Sequence, residues 1–153
     1  MNIPKALITS RLYTVRGGSM LPALRPGERL LVSASAYSDS APSRRDVVVV
    51  GDPRGADRHY FKRVVGVPGE EIALSEGLLY VDGEHLVEPY LDGLPASLGL
   101  GERVWRLGEG RYFVLGDRRT RSTDSREFGP VGLDLVHGRA WLRCWPTHRW
   151  ERI

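Results

Sequence analysis

The sequence predicts a mainly β protein, a coiled antiparallel and barrel-like sheet with a small inserted loop subdomain. Three observations predict it. Val, Ile, Tyr, Phe and Trp gather in short runs, as residues that suit a pleated, half-buried surface do. The 18 glycines and 10 prolines are spread along the chain and bound those runs. Helix-period apolar spacing never persists beyond about two turns, "VGLDLVHG" (131–138) being the one candidate.

The elements follow in order. Residues 29–35, "RLLVSAS", read as a strand. Residues 46–52, "DVVVVGD", carry four successive valines and suit a strand buried on both faces. Residues 58–67, "RHYFKRVVGV", form a third run, and residues 71–83, "EIALSEGLLYVDG", read as a hairpin. Residues 111–117, "RYFVLGD", end in a Gly-Asp turn, and residues 137–146, "HGRAWLRCWP", stop at proline. Residues 87–105 look irregular. They place a loop insertion at about 87–108 within a single domain, 1–153.

The totals exclude several classes. A chain of 153 residues with 41% apolar and 27% charged residues can bury a core and is not disordered. A net charge of +3 is too small to point to nucleic acid. One cysteine, Cys144, rules out an internal disulfide. His59, His85, His137 and His148 are scattered without metal-ligand spacing, so neither a metal nor a cofactor is implied. The N-terminal "MNIPKALITSRLYTV" is mildly apolar, but Lys5 and Arg11 break it short of the ~20 residues of a membrane span. No cleavable targeting pattern is visible either.

Three stretches carry chemistry. In "GGSMLPALRPGE", Gly17 and Gly18 let a ligand approach the backbone, and Pro22 stiffens the chain just beyond Ser19. This exposes a hydroxyl with backbone N–H groups free for an oxyanion, although alone it also describes an ordinary turn. In "HYFKRVVGVPGE", alternation puts Tyr60, Lys62 and Val64 on one face and Phe61, Arg63 and Val65 on the other. A lysine enclosed among apolar neighbours loses part of its proton affinity, which a general base near neutrality needs. An edge-strand lysine that deters aggregation is the competing reading. In "VLGDRRTRSTDSREFGPV", a polar loop with Ser122, Asp124, Ser125 and Arg126 follows Gly116-Asp117. It can orient an amine, or it can be a solvated turn. No histidine accompanies these motifs, so the available base is Lys62, and Ser-Lys pairs are an alternative to the Ser-His-Asp triad.

Taken together, the three stretches resemble the type I signal peptidases, serine proteases with a Ser-Lys dyad that remove signal peptides from exported proteins. The nucleophile motif reads Ser19-Met20-Leu21-Pro22-Ala23, and the base motif Lys62-Arg63-Val64-Val65-Gly66-Val67-Pro68-Gly69. The third motif runs from Gly116-Asp117-Arg118-Arg119 through Ser122, Asp124, Ser125 and Arg126 to Gly129. The resemblance covers the chain from about Tyr13 onward.

The resemblance implies Ser19 as nucleophile and Lys62 as general base. Ser122 would orient the Lys62 amine, Asp124 and Arg126 would pair behind the site, and Asp117 would support the loop. The Ser19 N–H would serve the oxyanion. The substrate, a preprotein signal peptide, would lie as an extended strand beside residues 14–18 and 58–61. Val15, Arg16, Gly17, Gly18, Met20, Tyr60 and Phe61 would contact it, with small pockets favouring Ala-x-Ala. The enzyme would be a monomer on the extracytoplasmic face of the cell membrane, with no cofactor and no nucleic acid. The sequence departs from the family at Ala23, where threonine is usual, and at Arg118, where asparagine is usual and the loop's hydrogen bonding would change. The family's membrane helix is not visible.

Trp141 and Trp145, four residues apart, would share a strand face, packing in the core or docking at lipid headgroups. Competing functions are a self-cleaving repressor, a maturation protease dedicated to one exported precursor, and a non-catalytic peptide-binding β module at the membrane. A repressor is disfavoured because no helix-turn-helix precedes the site. A binding module has no use for a desolvated lysine.

Overall fold

The structure is a computed structural model that describes residues 8–55, 57–94 and 101–153. Twelve strands are present among them: β1 (Ser10–Thr14), β2 (Arg29–Ser33), β3 (Val47–Gly51), β4 (His59–Gly66), β5 (Glu71–Ser75), β6 (Leu78–Val81), β7 (Glu84–His85), β8 (Arg103–Arg106), β9 (Arg111–Leu115), β10 (Val131–Gly132), β11 (Val136–Trp145) and β12 (Glu151–Arg152). One short helix, α1 (Ser125–Phe128), follows β9. The main sheet runs β1-β2-β11-β3-β4-β9-β10, with β12 also on β11, and a second sheet runs β7-β6-β5-β8. Every pairing is antiparallel. The mainly β, antiparallel fold expected from the sequence is the fold observed.

The valine run of β3 lies between β11 and β4, and all of it is buried. Val47 and Val49 face a core with Val15, Met20, Leu24, Leu30 and Phe61. Val48 and Val50 face another with Val64, Tyr112, Val114 and Val131. Apolar on both sides, β3 has no place at a solvated surface. The second sheet docks through a third core, in which Ile72, Leu74 and Leu79 meet Val65, Phe113 and Leu115.

Four details differ from the sequence reading. Within the expected irregular section, Arg103–Arg106 is a strand, paired to β5 from Glu71↔Arg106 to Leu74↔Arg103. Its side chains are mostly exposed, so burial leaves no period-2 signature. Backbone bonding to β5 and the Trp105–Phe113 ring contact at 4.7 Å hold it. Residues 95–100 of that section, and 1–7 of the N-terminal stretch, lie outside the described residues. Second, β1 is an edge strand with little burial, and its mild composition did not announce it. Third, "VGLDLVHG" divides into β10, a 3₁₀ turn at Leu133–Leu135 and the start of β11. Its apolar spacing comes from successive elements rather than from one helix.

The fourth concerns the tryptophans. The pairing of β11 with β2 shifts register between Ala140 and Leu142 and again between Arg143 and Trp145. Each shift inserts a residue and upsets the two-residue alternation. Trp141 therefore lies in the interior, donating from Nε1 to Ser10 Oγ at 2.8 Å, whereas Trp145 is 51% exposed. The two do not share an environment. Among the described residues, no helix is long and apolar enough to cross a membrane.

Candidate active site

Ser19 sits on a turn between β1 and β2. Gly17 enters that turn at φ +73°, a left-handed conformation with little penalty only for glycine. Met20 and Leu24 then anchor the chain in the core, with Leu24 N donating to Met20 O at 2.8 Å. The Ser19 carbonyl accepts the Arg118 backbone N–H at 2.9 Å. The substitution to Arg118 leaves this contact intact, since the main chain supplies the donor. No described residue accepts the Ser19 N–H, so it remains available to a ligand.

Lys62 lies mid-strand in β4, opposite Val48 of β3. It is only 1% exposed. Its Nζ donates to Ser19 Oγ at 3.0 Å and stands 5.1 Å from the centre of the Tyr60 ring. Burial lowers the amine from its ordinary 10.5 to about 8; Asp124 opposes the shift, Arg126 assists it and Asp117 opposes it. Desolvation thus outweighs two nearby carboxylates.

The polar loop after β9 closes behind this pair. Asp124 is fully buried and caps α1, accepting from Arg126 N at 3.2 Å. Its two oxygens also take Arg126 Nε and Nη2, each at 2.9 Å, and Gly116 N at 3.1 Å. Such a forked, charge-assisted arrangement fixes the loop in one geometry. Ser125 Oγ accepts the Val114 N–H at 2.9 Å, stitching the helix to β9. Asp117, also fully buried, binds Arg63 through both oxygens at 2.8 and 2.6 Å.

Ser122 stands apart from the rest of the cluster. Its Oγ is buried without a hydrogen-bond partner among the described residues, and it makes no bond to Lys62. It packs against Gly116, where a Cβ would meet Ser122 Oγ at 2.2 Å and the Ser19 carbonyl at 2.6 Å. Only glycine fits between these groups. Gly116→Ala is expected to destabilise the fold by about 1–3 kcal/mol and to lower turnover at least ~10-fold by displacing Ser19. Thermal melting and a peptide assay on the folded fraction check both; a variant with wild-type turnover would refute the tight fit.

A groove of about 680 Å³ leads up to Ser19, lined by segments that include Thr14–Gly17 and Arg58–Phe61. Of the residues expected to contact substrate, Val15, Arg16, Gly17, Met20, Tyr60 and Phe61 line it. Gly18 does not; it faces Leu21 and Arg118.

Several supporting residues escaped the sequence reading. Arg63 pairs with Asp117, and the Tyr90 ring lies 4.1 Å from its guanidinium. Arg119 is buried with Glu88, accepted at 2.9 Å by one Glu88 oxygen and again by the other, and donates to Gly116 O at 2.9 Å. Glu88 and Tyr90 both come from the section read as irregular. A cation on each face of so apolar a strand is the signal that could have found a buried anion for Arg63. Nothing local pointed to Glu88.

Comparison with known proteins identifies the family. A family model described as "Signal peptidase, peptidase S26" matches residues 4–145. Signal peptidase I of Bacillus caldolyticus is 40% identical over 146 residues, covering 88% of this chain and 79% of that protein. Signal peptidase IB of Staphylococcus aureus (strain Mu50) is 34% identical over 149 residues, covering 88% and 77%. The crystal structure of a signal peptidase I from Enterococcus faecalis V583 aligns with a TM-score of 0.56 at 32% identity, over 65% of this chain and 97% of that one. With a family match over most of its length and relatives above 30% identity, this protein belongs to the signal peptidase family of serine peptidases, peptidase S26.

Proposed function

We propose that this enzyme cleaves signal peptides from exported preproteins through a Ser19–Lys62 dyad. The observation that carries the proposal is the 3.0 Å contact between Ser19 Oγ and a buried, weakened amine. In its neutral form Lys62 removes the Ser19 proton as Oγ bonds to the scissile carbonyl carbon. The Ser19 N–H stabilises the oxyanion. Collapse breaks the C–N bond, and Lys62 returns its proton to the departing amine. A water molecule, deprotonated by Lys62, then releases the acyl group from Ser19. Ser122 Oγ, buried beside Gly116 and without a hydrogen-bond partner among the described residues, is the hydroxyl available to hold the amine between these steps. Asp124, Arg126 and Asp117 keep the surrounding loop fixed.

The acyl half of the substrate lies as an extended strand in the groove between residues 14–17 and 58–61. Alternate side chains point into its walls, which favours small residues in an Ala-x-Ala pattern. Work at a membrane surface is supported by a partly exposed apolar row: Leu12 pairs with Leu31, and Leu31 with Leu142, across β1, β2 and β11; Leu12 is 55% exposed and the other two are half-buried. All the named groups come from one chain, so a monomer suffices.

The test is the pH dependence of cleavage of a precursor peptide. Only the neutral amine accepts a proton, so kcat/KM should rise with pH through a midpoint near the Lys62 value of about 8. A rate that falls over that range, or that has its midpoint near 6, would exclude Lys62 as the base.

A further inference from the structure

A second cavity of about 550 Å³ shares no lining residue with the first groove, and its Leu21 and Arg118 flank Gly18, next to Ser19. Leu21, Pro22 and Leu94 give it apolar surface, and Arg25, Arg118 and Asp92 give it charge. Arg119 also reaches it, but Glu88 already holds that guanidinium. Arg118 and Arg25 form no ion pair with a described residue. Arg118 stands beside the nucleophile. Its Nη1 lies 3.6 Å from the point a Cβ on Gly18 would occupy, and its main chain holds the Ser19 carbonyl. The two arginines outnumber the single carboxylate of Asp92, so the cavity is net cationic.

A peptide cut at Ser19 has two halves that need separate places. If the acyl half fills the first groove, the half released as a free amine lies across Leu21 and Pro22. We infer that the second cavity receives the first residues of the mature chain and that Arg118, supported by Arg25, selects precursors carrying Asp or Glu there. This inference rests on the dyad and groove reading above. Leu21, Pro22 and Leu94 contact the extended backbone, and the guanidinium meets the carboxylate. An asparagine at position 118 would supply no charge for that contact. A half-exposed cation influences specificity and encounter more than it adds raw affinity, so the effect belongs in the ranking of substrates.

The experiment uses three precursor peptides identical up to the scissile bond, with Ala, Asp or Lys at the second residue beyond it. For the wild type, kcat/KM should favour Asp over Lys by about 3- to 10-fold at low salt. High salt should bring the ratio towards one, because the contact is screened. Arg118→Glu should reverse the ranking, and Arg25→Gln should narrow it. Equal rates for the three peptides at low salt, or an unchanged ranking in Arg118→Glu, would overturn the inference and leave the dyad intact. Failure of the wild type to cut any peptide would instead overturn the reading of the site beneath it.

Discussion

Lys62→Met is expected to abolish cleavage and, at neutral pH, to make the protein more stable. On the proposed mechanism Lys62→Met should reduce turnover by roughly 10³-fold or more, and Ser19→Ala should do the same, since in a Ser-Lys dyad neither group acts without the other. The stability gain has a separate origin. The Lys62 amine falls from 10.5 to about 8 in the folded state, so folding disfavours its ammonium form. Below pH 8 the amine is charged in both states and the whole penalty applies. Between pH 8 and 10.5 the unfolded chain binds more protons, so wild-type stability attributable to this group rises with pH. Above 10.5 the penalty vanishes. A methionine of similar length removes it throughout. At pH 7 the variant should gain about 3 kcal/mol, or roughly 6–12 °C in melting temperature, and the gain should shrink as pH approaches 10. A variant that melts lower than wild type at pH 7, or that still cuts a precursor peptide at wild-type rate, would refute this account.

Asp117→Ala is expected to cost about 3–5 kcal/mol, because it leaves the Arg63 guanidinium buried without its anion. Asp117 is fully buried and Arg63 nearly so, and both oxygens of the carboxylate are engaged. Replacing both partners together, as in Arg63→Met with Asp117→Leu, should recover much of the loss, since no uncompensated charge remains. Denaturant unfolding of the two single variants and the double variant yields the coupling directly. The same substitution has a second signature. Asp117 is one of the anions that raise the Lys62 amine, so its removal should move the midpoint of the pH–rate profile downwards in the fraction that folds. A midpoint moving upwards would contradict the assigned electrostatics.

The parts of this protein legible in its sequence were those whose physics is local. Four consecutive valines require burial on both faces, and β3 is a central strand. Lys62 inside an apolar run left an enclosed amine and an edge-strand lysine both open, and the structure encloses it. The three motifs named the groups that surround Ser19 because their chemistry is contiguous in the chain. What stayed hidden depended on distant partners. The two register shifts in β11 arise from its fit against β2, so "RAWLRCW" gave no hint that Trp141 and Trp145 would part. β1 and β8 are held by backbone pairing with little side-chain burial, and pattern reading follows side chains. The Glu88–Arg119 pair spans 31 residues, and no spacing rule connects them.

The position of Lys62 on a central strand has a consequence in time. Its partner Ser19 is 43 residues away on a turn, and Asp124 lies 62 residues beyond it on a loop. On the proposed mechanism, the weakened amine exists only where the β-sheet encloses it, and the hydroxyl reaches it only when the turn has packed. An unfolded or partly threaded chain holds an ordinary, charged lysine and an unactivated serine. The enzyme would therefore need no propeptide and no inhibitor while it is being made. Completion of the fold would then act as its own zymogen activation, and proteolytic power would be confined to molecules that have finished folding.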